Sequence, residues 1–157
     1  MKLRNIVVDD AIVTRLEGSK RNEVLAELMD SLVNAGAVSP DHRDTFLEGA
    51  IKREKRGTTG FGHGVAVPHV KTPDVDSLKI AIGISESGID FKAFDKQPVH
   101  SIFLLVSPEE RPEEHIDAME AIFTCLGRDQ FRRFLRQAES AQDVLTLIDE
   151  ADAVQAG

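Results

Sequence analysis

The chain has 157 residues, 41% of them hydrophobic and 29% charged, the size and balance of one globular domain able to bury about 70% of its unfolded surface without disulfide staples. Its 19 basic and 27 acidic residues leave a formal charge of −8, which excludes a nucleic-acid-binding surface, because neutralising phosphates requires a basic face. No apolar run approaches the roughly 20 residues that span a bilayer, the stretch Ile6-Val7-Val8 is too short for a signal peptide, and the single cysteine, Cys125, makes no internal disulfide; the chain reads as a cytoplasmic protein with no membrane insertion.

A short strand is expected over residues 11–16. Ser19 then caps a helix reaching about residue 35, with Val24, Leu25, Leu28, Leu32 and Val33 on one face and Gly36 as its stop. Ser39-Pro40 opens a second helix with proline in its first turn, and Phe46, Leu47 and Ala50 are its apolar positions. That helix ends in the basic cluster Lys52, Arg53, Lys55 and Arg56. Four glycines within residues 57–64 exclude a helix or strand interior there. Residues 65–67 form a short buried strand stopped by Pro68-His69. Two nearly all-apolar strands, 78–84 and 101–106, read as covered on both faces, with 88–98 between them as a loop that has room for a short strand.

The last third is helical. Ile116, Met119, Ile122, Phe123 and Leu126 mark one apolar face, and Phe131, Phe134 and Leu135 a second. Ser140 to Asp143 is a capping box before Val144, Leu145 and Ile148. Phe123, Phe131 and Phe134 are assigned to the core, Cys125 is a small buried hydrophobe, and residues 153–157 are loosely held. The sum is a single α/β domain, residues 1–157, with a small sheet between helices and its core within about 11–150.

The glycine-rich stretch lacks the Gly-Lys-Ser/Thr ending of a nucleotide P-loop, and it follows a helix rather than a strand, which weakens a dinucleotide fingerprint. What remains suits a phosphoryl group on histidine. A neutral imidazole is a nucleophile near pH 7. The oxygens it receives need fixed donors. Glycines that let the backbone approach, hydroxyls on Thr58 and Thr59, and the guanidinium of Arg53 are candidates for that role. Zinc held by His63, His69 and His115 is a rival reading, without carboxylate or cysteine spacing to support it.

The segment Arg53-Glu54-Lys55-Arg56-Gly57-Thr58-Thr59-Gly60-Phe61-Gly62-His63-Gly64-Val65-Ala66-Val67-Pro68-His69 resembles the signature of enzyme IIA domains of the phosphoenolpyruvate-dependent sugar phosphotransferase system, in its fructose/mannitol branch with nitrogen-regulatory relatives. Glu113-Glu114-His115 resembles the segment of the family's second site histidine, and the likeness extends over about 11–150. The resemblance implies a mixed, mostly parallel sheet flanked by helices, and no metal or organic cofactor. It implies that His69 is phosphorylated, that His115 bonds the phosphoryl group or orients His69, that Arg53 neutralises charge, and that Thr59 with the Gly62–Gly64 loop shapes the pocket. The implied partners are phospho-HPr as donor and a IIB-type domain, or a regulatory target protein, downstream. His63 is then an exposed loop residue, and Lys52, Lys55 and Arg56 a solvated helix end. Val70 stands where the family commonly has glycine, and a branched side chain there is expected to narrow a partner's approach. No IIB or membrane part is visible in the chain, so transport would need separate partners.

Overall fold

The longest apolar run folds as a strand over Val99–Pro108, and the computed structural model, which describes residues 1–156, builds a six-stranded sheet around it. In chain order the elements are β1 (Val7–Val13), α1 (Arg21–Asn34), α2 (Arg43–Arg56), β2 (Gly60–Gly62), β3 (Val65–Ala66), β4 (His69–Thr72), β5 (Lys79–Ile89), β6 (Val99–Pro108), α3 (Pro112–Leu126), α4 (Asp129–Gln137) and α5 (Ala141–Ala156). The strand order is β1-β5-β6-β3-β2, with β4 also on β6. The β1/β5, β3/β6 and β4/β6 pairs are parallel, while β5/β6 and β2/β3 are antiparallel. The sheet is therefore mixed and mostly parallel, as expected.

Side chains alternate across β6. Ile102, Leu104 and Val106 join Leu25, Leu28 and Phe46 of α1 and α2 in one core. Phe103 and Leu105 join Ile122, Leu135 and Ile148 of α3, α4 and α5 in the other. Helices thus cover both faces, and the apolar strands follow from that burial.

Several expectations shift. The first strand starts at Val7, ahead of residue 11, because Asp9 and Asp10 lie exposed on an edge strand where polar side chains cost nothing. Ser19 does not cap α1 by its hydroxyl; instead the Glu23 carboxylate accepts from the Ser19 and Lys20 N–H groups, both at 3.1 Å. At α5 the expected cap is present, with Ser140 Oγ accepting from Asp143 N–H at 3.1 Å. Pro68 interrupts the sheet rather than ending it: it offers no N–H, but its carbonyl accepts from Leu105 N–H at 3.0 Å and the chain continues as β4. Within 88–98 the strand that the sequence left room for is the end of β5, which runs on through a register shift to Ile89. α5 continues to Ala156, so residues 153–156 are helical; Gly157 lies outside the described residues.

The assignment of apolar helix positions to the core also needs correction. Phe131 is buried, but Ile116 is 63% exposed, Phe123 41% and Phe134 49%. The buried face of α3 is instead His115, Ala118, Ala121, Ile122, Cys125 and Leu126. With apolar residues on more than one side of the helix, periodicity alone did not choose which side packs.

A paired-histidine site at the end of strand β4

Local sequence sets the position of His69. The carbonyl of Pro68 and the pairing of His69 with Leu105 fix β4 on β6. Because strand side chains alternate, and Val70 packs into the α1/α2 core, His69 and Lys71 face the α3 side. There the first turn of α3 presents His115, which is 7% exposed. The two imidazole rings lie 5.2 Å apart between centroids, tilted by 57°.

The half-buried ring of His69 has a defined tautomer. Nδ1 lies 3.1 Å from the Val67 carbonyl, which only accepts, so Nδ1 carries the proton. Nε2 of the neutral ring then keeps its lone pair. Burial depresses the His69 pKa below 6.5, and the positive charges of Arg53 and Lys71 depress it further against the opposing pull of the Val67 carbonyl. His115 is pushed down to about 4 by burial, with His69 and Lys71 adding to the shift. Both rings are therefore neutral at pH 7. Nδ1 of His115 is buried and has no hydrogen-bond partner among the described residues.

Arg53, from the last turn of α2, donates to the Gly57 carbonyl at 2.8 Å, which ties its guanidinium to the loop beside His69. Lys71 acts electrostatically on both histidines. Sequence reading missed Lys71; recognising residues 69–72 as a strand would have placed it on the same face as His69.

The glycine-rich stretch divides in two. Its first part lies beside the site, since Val67 N–H donates to the Thr59 carbonyl at 3.3 Å. Both threonine hydroxyls of that part are already engaged. Thr58 Oγ1 donates to the Phe91 carbonyl at 2.7 Å and accepts from Gly60 N–H. The hydroxyl and N–H of Thr59 both donate to the carboxylate of Glu54, itself only 2% exposed. Their part in the site is shape rather than free donation.

The second part is a hairpin turn away from it. His63 at φ 59° and Gly64 at φ 76° are the central residues joining β2 to β3, the pattern of the primed turns that match strand twist. Val65 pairs with Ser101 but His69 with Leu105, so Gly62 and Gly64 sit roughly 13 Å along the sheet from His69 at about 3.3 Å per residue. The expectation that Gly62 and Gly64 line the pocket is corrected accordingly. So is the zinc reading, because His63 lies at that exposed turn and the described residues hold no group of three metal-ligating side chains.

The expected obstruction by Val70 is also absent. Its side chain points to the opposite face of the sheet and packs on α2 at Gly49. The exposed Ile116, next to His115, and Phe123, two turns further along α3, share one side of that helix at a spacing of seven, and Phe61 of β2 meets Phe123 edge-on with ring centroids 4.6 Å apart.

Known proteins resemble the chain over nearly its whole length. The chain is 31% identical over 152 residues to the fructose-specific EIIABC component of the phosphotransferase system of Bacillus subtilis, aligning 97% of this chain with 24% of that protein, so it spans only about a quarter of that relative. It is 30% identical over 148 residues to a nitrogen regulatory protein of Bradyrhizobium diazoefficiens, covering 94% of this chain and 95% of that one. The crystal structure of nitrogen regulatory protein IIA-Ntr from Neisseria meningitidis matches with a TM-score of 0.83 at 28% identity, over 93% of this chain and 98% of that one. The family model for the phosphoenolpyruvate-dependent sugar phosphotransferase system, EIIA 2, matches residues 5–151, and the chain belongs to that family.

Proposed function

We propose that this protein is a phosphocarrier whose His69 Nε2 accepts a phosphoryl group from phospho-HPr or a related phosphohistidine carrier. The observation that carries the reading is the hydrogen bond from His69 Nδ1 to the Val67 carbonyl, which commits one nitrogen and leaves the other as nucleophile. In the transfer, the Nε2 lone pair attacks phosphorus in line with the donor's N–P bond. That bond breaks and its electron pair returns to the donor imidazole. No proton need move, so the protein's work is positioning and charge stabilisation.

Arg53 and Lys71 supply positive charge for the phosphoryl oxygens, and His115 donates an N–H to one of them or holds the His69 ring in place. Thr58, Thr59 and Glu54 fix the loop that carries the Gly57 carbonyl and hence Arg53. The exposed Ile116 next to His115, with Phe123 two turns further along α3, suits a partner whose apolar surface docks on α3 next to the transferring phosphate.

The second stage has two readings. The Bacillus relative's name joins A, B and C components, which supports transfer to a IIB-type domain. The nitrogen regulatory relative aligns over nearly its whole length, which supports a regulatory output in which the phosphoryl group, adding about −1.5 to −2 charges, changes what the protein binds.

The test is intact mass after incubation with phosphoenolpyruvate, enzyme I and HPr. One acid-labile phosphate lost in His69→Ala but kept in His63→Ala is expected; labelling that survives His69→Ala overturns the assignment. A chase with a purified IIB domain then separates the two outputs: a carrier loses its phosphate to it, and a regulatory protein keeps it.

A further inference from the structure

A separate cleft of about 730 Å3 opens where β1 ends, beside β5 and α4. It is lined by Thr14 and Arg15 after β1, Ile84 and Ser85 of β5, and Arg133 and Arg136 of α4. Ile84 pairs with Ser101 at the end of β6 away from Leu105, so the cleft lies roughly 15 Å from His69 and shares no residue with that site. Its volume falls in the range of small-molecule sites.

The charge in it is unusual for this chain. The molecule carries −8 overall, yet three arginines line one concavity. Among the described residues, Arg15 and Arg136 have no ion-pair partner, and Arg133 uses only its Nε, bonded to Asp129 at 3.2 Å. Guanidinium forks left without a carboxylate match the planar oxygens of a carboxylate or the tetrahedral oxygens of a phosphate. The remaining lining is not cationic. Glu86 and Glu139 also line it, and Gln137 and Thr14 offer acceptors. Two carboxylates disfavour a bare polyanion but accept hydrogen bonds from hydroxyl groups.

We infer that this cleft is a second binding site, for a small hydroxylated anion whose phosphate or carboxylate lies among Arg15, Arg133 and Arg136 and whose hydroxyls face Glu86, Glu139 and Gln137. Phosphate ester and sugar acid share this chemistry, and the probes distinguish them.

The test is an amide NMR titration of the full chain at fixed ionic strength with glycerol 3-phosphate, gluconate, inorganic phosphate and glycerol. Saturable shifts at Thr14, Arg15, Ser85 and Gln137 are expected with glycerol 3-phosphate or gluconate at a Kd of about 1 mM or below. Whichever of the two binds identifies the anionic group. The Arg15→Ala/Arg136→Ala double variant is expected to weaken binding about tenfold or more, with His69 labelling unchanged. Shifts confined to His69, Arg53 and Lys71, equal affinity in the double variant, or no saturation with either probe overturns the site. Inorganic phosphate binding as tightly as both esterified and carboxylate probes overturns the hydroxylated class.

Discussion

The side chain of Val70 fills the space that a β-carbon on Gly49 would need: such a carbon would lie 2.7 Å from Val70 Cγ2. The contact locks β4 to α2 and fixes which way His69 faces. Gly49→Ala is therefore expected to destabilise the fold by about 1–3 kcal/mol through overpacking, read as a lower urea midpoint. Adding Val70→Ala to that variant is expected to recover most of the loss. Val70→Ala alone is expected to leave His69 labelling within about twofold, which is within the spread of a neutral change; a large gain in labelling rate would show that Val70 does obstruct the partner.

Arg53 and Lys71 push the His69 pKa in the same direction, downwards. Removing either cation has two opposite consequences. Lys71→Met is expected to raise the His69 pKa, measured by NMR titration, because a charge that disfavoured the imidazolium is gone. It is also expected to slow phosphoryl transfer by about tenfold or more, because the developing charge loses a stabilising partner. A slower transfer with an unmoved pKa would place Lys71 on the partner's side of the reaction rather than beside the ring.

His115 titrates near 4 in the folded protein against about 6.5 when unfolded. Between those values the unfolded chain binds more protons, so stability rises with pH across the window from 4 to 6.5 and is lost as pH falls through it. His69 is shifted the same way and contributes in the same direction. His115→Asn is expected to flatten the decline of the urea midpoint below pH 6.5. Phosphorylation of His69 reverses the local field: an added dianion favours the imidazolium, so the His115 pKa is expected to move up, and an unmoved value would remove His115 from contact with the phosphoryl group.

Ile116, next to His115, and Phe123, two turns further on, project from α3 into solvent. The double variant Ile116→Ser/Phe123→Ser is expected to keep thermal stability within about 0.5 kcal/mol at each position, as exposed substitutions do, apart from the lost edge contact with Phe61. Its phosphorylation by phospho-HPr is expected to need at least about tenfold more donor for the same rate. A variant that unfolds instead would show that this stripe is packing surface.

The fold class was legible because burial leaves a strong imprint. Residues 102–106 are apolar throughout since β6 is covered on both faces, and Val24, Leu25, Leu28 and Leu32 repeat because α1 has one buried side. Short pieces were not legible. β2 holds three residues and β3 two, too few for any period to register, and both exist only because β6 and the turn at His63-Gly64 give them partners.

By itself, the sequence determined the chemistry available at the site: an Arg-Glu pair, two threonines and a Pro-His, with a second histidine opening a later helix. Glu54 shows why that run is fixed in order, since its buried carboxylate takes both the N–H and the hydroxyl of Thr59 five residues on. Only the tertiary structure decided which of these groups meet. His69 and His115 are 46 positions apart and come within one ring spacing because β4 begins beside Leu105, near the C-terminal end of β6, and α3 begins just after that end. Lys71 joins them, and Gly62, Gly64 and His63 do not, because alternation along a strand sets direction and distance along the sheet sets reach. Neither quantity exists until the strand has a partner, so neither was written in the order of residues alone.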